Sequence, residues 1–128
     1  MRKLCVVLVT FFWGASSYAG DVQIIDVALK KRGQNWNIRV MLKHDDTGWQ
    51  HYADAWRVVA EDGKILGKKL FQKPHVEEQP FSRSLIIKIP RNISKLYIEA
   101  HDSVHGWSID KVHIDLDIRE GPRYRVIR

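Results

Sequence analysis

Residues Trp36–Lys43 read WNIRVMLK. Trp36, Ile38, Val40 and Leu42 share one parity, and Asn37, Arg39, Met41 and Lys43 share the other. Successive side chains of an extended chain point to opposite faces, so this alternation specifies a strand with one face in a core. His44 continues the inward row. Outward from this stretch, similar segments recur: Val22–Leu29, Asp54–Ala60, Ile65–Phe71, Ser84–Ile89, Lys95–His101 and Ile109–Asp117. Their predicted inward rows are Trp56, Val58 and Ala60; Leu85, Ile87 and Ile89; Leu96, Ile98 and Ala100; and Val112, Ile114 and Leu116. Turn residues separate several of them, at Lys31–Gln34, Glu61–Lys64 and Pro90–Asn92. The pattern predicts an all-β domain, a seven-stranded immunoglobulin/fibronectin-III-like sandwich without a disulfide. Trp56 fits the core tryptophan of that fold, while Leu96 holds the place of its corner tyrosine.

The N-terminal segment reads as a leader. Arg2 and Lys3 precede the apolar stretch Leu4–Trp13, which is too short to span a bilayer and suits a signal-peptide core. Ser17-Tyr18-Ala19 supplies small residues for cleavage after Ala19. The expected organisation is therefore a signal peptide over 1–19, a sandwich domain over 20–118 and a basic tail over 119–128. The product would be periplasmic or secreted, with no transmembrane segment after cleavage. The one cysteine, Cys5, falls in the leader, so the remainder must be held by its core, and any metal site must use His, Asp and Glu.

The formal charge of +6 includes Arg2 and Lys3, which leaves +4 after cleavage. Arg119, Arg123, Arg125 and Arg128 against Glu120 account for +3 of that, so the body is close to neutral. No basic stripe interleaved with aromatics runs through it, which argues against a nucleic-acid partner. The tail reads as a loose arm, although Tyr124–Ile127 has the pattern of an added edge strand.

Three connections are unlike the rest: His44–Trp56, Gln72–Arg83 and Ala100–Trp107 hold five of the six histidines and three of the five tryptophans. They alternate along the chain with the plain turns. In a sandwich, alternate connections lie at opposite ends, so the three should share one pole, as binding loops do in variable domains.

The blocks DTGWQHYADAW, PHVEEQPFSRSL and DSVHGW, with DGKILGKK between the first two, resemble an uncharacterised family of small exported bacterial immunoglobulin-like proteins. The resemblance runs from about His44 to Trp107. It implies a single periplasmic β-sandwich domain and carries no established activity. Positions in its pattern are His44, Asp46, Gly48, Trp49, His51, Tyr52, Asp54, Trp56, His75, Gln79, Pro80, Phe81, Arg83, Asp102, His105 and Gly106. His101 and Trp107 depart from it, where arginine and tyrosine are more usual.

Two chemistries compete for the shared pole. Trp49, Tyr52, Phe81 and Trp107 are large rigid side chains of the kind that grip a protein or small-ligand partner, with Arg83 beside them. The same aromatics could instead be lids over Trp56. The second chemistry is a metal site from His44, His51, His75, His105, Asp46 and Asp102, which would suit Zn or Cu(II). Each histidine could equally be a hydrogen-bonded loop staple. There is no nucleophile elbow, HExxH or glycine-rich phosphate loop, and Asp102, Ser103 and His105 are too close in sequence for a triad. The sequence reading is thus a non-enzymatic exported binding or accessory module, with metal binding as the alternative. Arg83 is expected to pair with Glu77 or Glu78, and His101 and His113 to be solvated.

Overall fold

A computed structural model of the chain describes residues 21–128, so the expected leader lies outside the described residues. Nine strands follow in order: β1 (Gln23–Arg32), β2 (Asn35–Lys43), β3 (Ala53–Ala60), β4 (Ile65–Leu70), β5 (Phe81–Lys88), β6 (Lys95–Asp102), β7 (Gly106–Asp115), β8 (Glu120–Gly121) and β9 (Tyr124–Ile127). They form two sheets, ordered β5-β2-β1-β9-β8 and β4-β3-β6-β7. The β1–β2, β3–β4 and β6–β7 pairs are antiparallel neighbours in sequence, and β2–β5 and β3–β6 are antiparallel pairs between distant segments.

The alternation in β2 does what it predicts. Trp36, Ile38, Val40 and Leu42 are buried, and His44 beyond them is buried too. Trp56, Val58, Leu96, Ile98, Ala100, Val112, Ile114 and Leu116 meet this row across the interior. Trp56 is fully buried between the sheets. Leu85 packs only partly against the core.

The C-terminal segment corrects the sequence reading. It is no loose arm. β9 pairs in parallel with β1, from Val27↔Tyr124 to Lys30↔Ile127, and lies inside the sheet between β1 and β8. The described chain thus has two strands more than the seven expected. Val126 and Tyr124 alternate into the core, which repays ordering the segment. The arginines also have partners. Arg123 grips Asp110 with two bonds of 2.8 and 2.9 Å and donates to the Ile24 carbonyl, so it ties β7 to β1. Arg125 lies 3.3 Å from Asp26, and Arg128 lies 3.6 Å from Asp117.

The third connection is also shorter than expected. β6 and β7 run on to Asp102 and Gly106, leaving only Ser103, Val104 and His105 between them. Backbone pairing of Asp102 with Gly106 takes residues that the sequence alone leaves as loop.

Candidate functional site: a histidine–carboxylate cluster at one pole

Topology delivers the site. The ends of β2 and β6 and the start of β3 lie at one pole, and the β2–β3 and β6–β7 connections meet there. Within the first, Thr47 N–H donates to the His51 carbonyl and His51 N–H to that of Gly48, so the loop doubles back. Gly48 has φ 132°, which a side-chain-bearing residue rarely adopts, and this fold-back returns His51 toward the body. The loops are sewn together by Tyr52 and Ser103: Tyr52 N–H donates to Ser103 Oγ, and Ser103 N–H to the Tyr52 carbonyl.

Asp102 is the centre. Its side chain is almost wholly buried. Oδ1 accepts the N–H groups of Val104 and His105, at 2.8 and 2.6 Å. Oδ2 is approached by three imidazole nitrogens: His105 Nδ1 at 2.9 Å, His44 Nε2 at 3.2 Å and His51 Nε2 at 3.2 Å. Burial pushes the Asp102 carboxyl up. The donors of His105, Val104 and His51 outweigh it and hold the group well below the usual carboxylate range. Asp21 adds a second carboxylate, 3.9 Å from His105 Nδ1.

Asp46 stands behind this cluster. Its Oδ1 lies 2.5 Å from His44 Nδ1 and accepts the Ala53 N–H at 3.0 Å, while Oδ2 accepts the His75 N–H at 2.6 Å. A carboxylate on Nδ1 fixes both the orientation and the tautomer of an imidazole. His44 Nε2 then faces an Asp102 oxygen 3.2 Å away, so the ring lies between two carboxylates. A ring carrying both protons would donate to each of them, and a neutral ring would present Nε2 and the Asp102 oxygen together to a cation.

The ligand geometry can be tested against an ion. Metal–nitrogen and metal–oxygen bonds of about 2.0–2.2 Å separate neighbouring donors by roughly 3.0 Å in octahedral and about 3.4 Å in tetrahedral coordination. The three nitrogen-to-Asp102 separations of 2.9–3.2 Å fall close to that span. His44, His51 and Asp102 offer donor atoms all within 4.8 Å of one another, as do Asp21, Asp102 and His105. The same separations suit N–H···O hydrogen bonds, and each of the two groups, which share Asp102, could hold an ion bound by nitrogen and oxygen alone. His44 is fully buried, His51 is mostly covered, and His105 is 44% exposed, so one side of the cluster faces solvent.

The other candidates fall elsewhere. Asp46 is placed behind His44, with its oxygens already committed. The His75 ring is turned away from the cluster. It stacks on Phe81 at 4.0 Å, and Arg83 donates to its Nε2 at 2.7 Å. Burial, and then the Arg83 charge, lowers the His75 pKa below 6.5. Phe81 is in the core against Phe71, so it is a lid and not an exposed contact. Arg83 reaches Glu78 only at 3.9 Å; its close partners are His75 and the Ser82 carbonyl. Trp49 is 66% exposed and packs edge-on against Tyr52 beside the cluster. Trp107 lies on the outer face of its sheet, under the Arg57 guanidinium at 3.7 Å. His101 is half-buried, not solvated as expected, with Nδ1 2.5 Å from Asp54 and Trp107 against its ring. Gln79 does structural work that the residue pattern alone does not reveal: it accepts the His44 N–H and donates to the His75 carbonyl, closing the long 71–80 connection over the pole.

Comparison with known proteins gives a fold and one sequence relative. No protein-family model matches this chain. A "Putative lipoprotein" of Halomicrobium mukohataei is 29% identical over 109 residues, covering 80% of this chain. The chain spans about half, 54%, of that relative's length. Among solved structures, a superoxide reductase (neelaredoxin) from Ignicoccus hospitalis superposes with a TM-score of 0.50 at 16% identity, over 79% of this chain and 85% of that one. A superoxide reductase (1Fe-SOR) from Giardia intestinalis superposes with a TM-score of 0.46 at 15% identity, over 73% of this chain and 98% of that one. The class defined by fold and site is an all-β, two-sheet domain with a histidine–carboxylate cluster at one pole. The expectation of a non-enzymatic module is corrected here, because the architecture is one that enzymes use, namely the superoxide reductases.

Proposed function

We propose that this chain is an exported metalloprotein whose working part is the centre formed by His44, His51, His105 and Asp102. The observation that carries this reading is the approach of three imidazole nitrogens to one buried carboxylate oxygen, with Asp46 behind His44 as its orienting partner. Within it, His44, His51 and Asp102 supply two histidines and one carboxylate, a set that suits iron(II), with His105 on the solvent-facing side, and imidazole-rich sites also take zinc or copper(II). Bound there, iron or copper would supply one-electron chemistry, and zinc would supply Lewis acidity. Export is supported by the apolar leader and by the relative's description as a lipoprotein. The superoxide reductase likeness supports including superoxide among the substrates to test.

The immunoglobulin/fibronectin-III-like subtype belongs to the same proposal. Naming β1, β2, β3, β4, β5, β6 and β7 as strands A, B, C, C′, E, F and G, the sheets read E-B-A and C′-C-F-G, with β9 and β8 added beyond A.

The test is a titration of protein purified without an affinity tag and stripped with chelator. Iron(II) under anaerobic conditions, zinc and copper(II) are each added and followed by calorimetry and thermal melting. One ion per chain should bind, and saturation should raise the melting temperature by roughly ten degrees or more through mass action. His51→Ala and His105→Ala, which alter the more accessible ligands, should weaken binding by at least about tenfold while leaving the metal-free fold in place. Absence of stoichiometric binding of every ion, or binding indifferent to both substitutions, refutes the centre. Iron-loaded protein is then assayed for superoxide consumption.

A further inference from the structure

The two ends of the sandwich differ. Long connections stitched by Asp46, Gln79 and Ser103 close the histidine pole. At the other pole the β1–β2 turn is only two residues, Gly33 and Gln34. That turn is too short to fold back over the gap between the sheets. A cavity of about 660 Å³ remains there, within the roughly 300–1,000 Å³ of small-molecule sites.

Its lining has a consistent chemistry. The floor is apolar: Trp36, Ile89 and Leu116 are buried core residues, and Ile93 packs beside them. The rim is cationic. Lys31, Lys88, Arg91 and Arg128 surround it against one acidic side chain, Asp117. Arg128 is already positioned over the floor, its guanidinium 5.6 Å from the Trp36 ring and donating to the Leu116 carbonyl at 2.8 Å. The three remaining cations have no carboxylate partner among the ion pairs of the described residues. An apolar floor under a positive rim complements a molecule with an apolar body and an anionic head.

We infer that this cavity is a second binding site, separate from the histidine cluster, for a small organic anion with an apolar body, of the carboxylate class. The body lies on Trp36 and Leu116, and the head group meets Lys88, Arg91 and Arg128.

Octanoate is the probe, titrated into the purified, isotopically labelled protein and followed by amide and indole N–H shifts. Saturable shifts are expected at the Trp36 indole and along residues 31–36 and 88–94, with none at His51 or His105. Lys88→Gln combined with Arg91→Gln changes two exposed side chains and should keep the fold, as the unchanged remainder of the spectrum would show. It should weaken octanoate at least about tenfold, which corresponds to about 1.4 kcal/mol. Octan-1-ol and acetate, which carry the body and the head alone, should each bind at least about tenfold more weakly than octanoate. The site is overturned if octanoate gives no saturable shifts, if octan-1-ol binds equally well, or if the double variant binds octanoate unchanged. None of these outcomes bears on metal binding at the other pole.

Discussion

Removing the Asp46 carboxylate should unfasten the histidine pole, and the structure sets the size of the effect. Asp46 is buried and accepts from Ala53 N–H, His75 N–H and His44 Nδ1. Asp46→Ala leaves all three donors without that partner in a site closed to water. An orphaned buried donor costs about 1–3 kcal/mol, so taking roughly 1–2 for each gives about 3–6 kcal/mol. That is a large part of the roughly 5–15 kcal/mol by which a domain of this size is folded. Each kcal/mol shifts the melting temperature by about 4–8 °C, so the variant should melt at least about 12 °C lower. Urea unfolding with chelator present isolates this structural effect from any metal. Asp46→Asn keeps one carbonyl oxygen and should lose less stability, yet bind metal roughly 10–100-fold more weakly, because the partner of His44 has changed. A loss below about 1 kcal/mol for Asp46→Ala would refute the reasoning, since three buried donors cannot be orphaned so cheaply.

Two aromatics that look alike in sequence should part company. Phe81→Ala removes a ring packed against Phe71 and His75 in the interior and should cost about 3–5 kcal/mol in urea unfolding, whereas Trp49→Ala removes an exposed side chain and should change stability by no more than about 0.5 kcal/mol; equal losses would contradict their placement. Stability should also fall with acid in two stages. His75 has its pKa lowered by burial and by Arg83, so the unfolded chain takes up more protons as the pH drops through about 6.5, and folding weakens there. Asp102 and Asp110 are depressed in the folded state, so the stability they contribute is present above their ordinary 3.8 and is lost as the pH falls below it. His75→Gln should flatten the first stage in a series of urea midpoints and leave the second; a variant with an unchanged slope near pH 6.5 would show that other groups govern it.

The sequence by itself determined seven of the nine strands, β1 to β7, and most of the faces they bury. Period-two alternation is local, and it identifies Trp36, Ile38, Val40 and Leu42 as inward without knowledge of what they meet. It also brought the histidine-bearing connections to a common pole, because antiparallel strands must reverse direction at each turn. Local pattern does not reveal which strand a segment pairs with. Tyr124–Ile127 could be read as an edge strand, but its place beside β1, in parallel, depends on residues nearly a hundred positions away. The same limit governs the site. His44, His51, His75 and His105 look equivalent in sequence, and only tertiary packing sets three rings around Asp102 and turns the fourth onto Phe81. Asp46 and Asp102 likewise both read as acids in loops from the sequence, yet one is committed behind a histidine and the other, at the end of β6, faces three of them. Periodicity follows from bond geometry along the chain, whereas ligand convergence follows from distances between segments that only the packed sheets define.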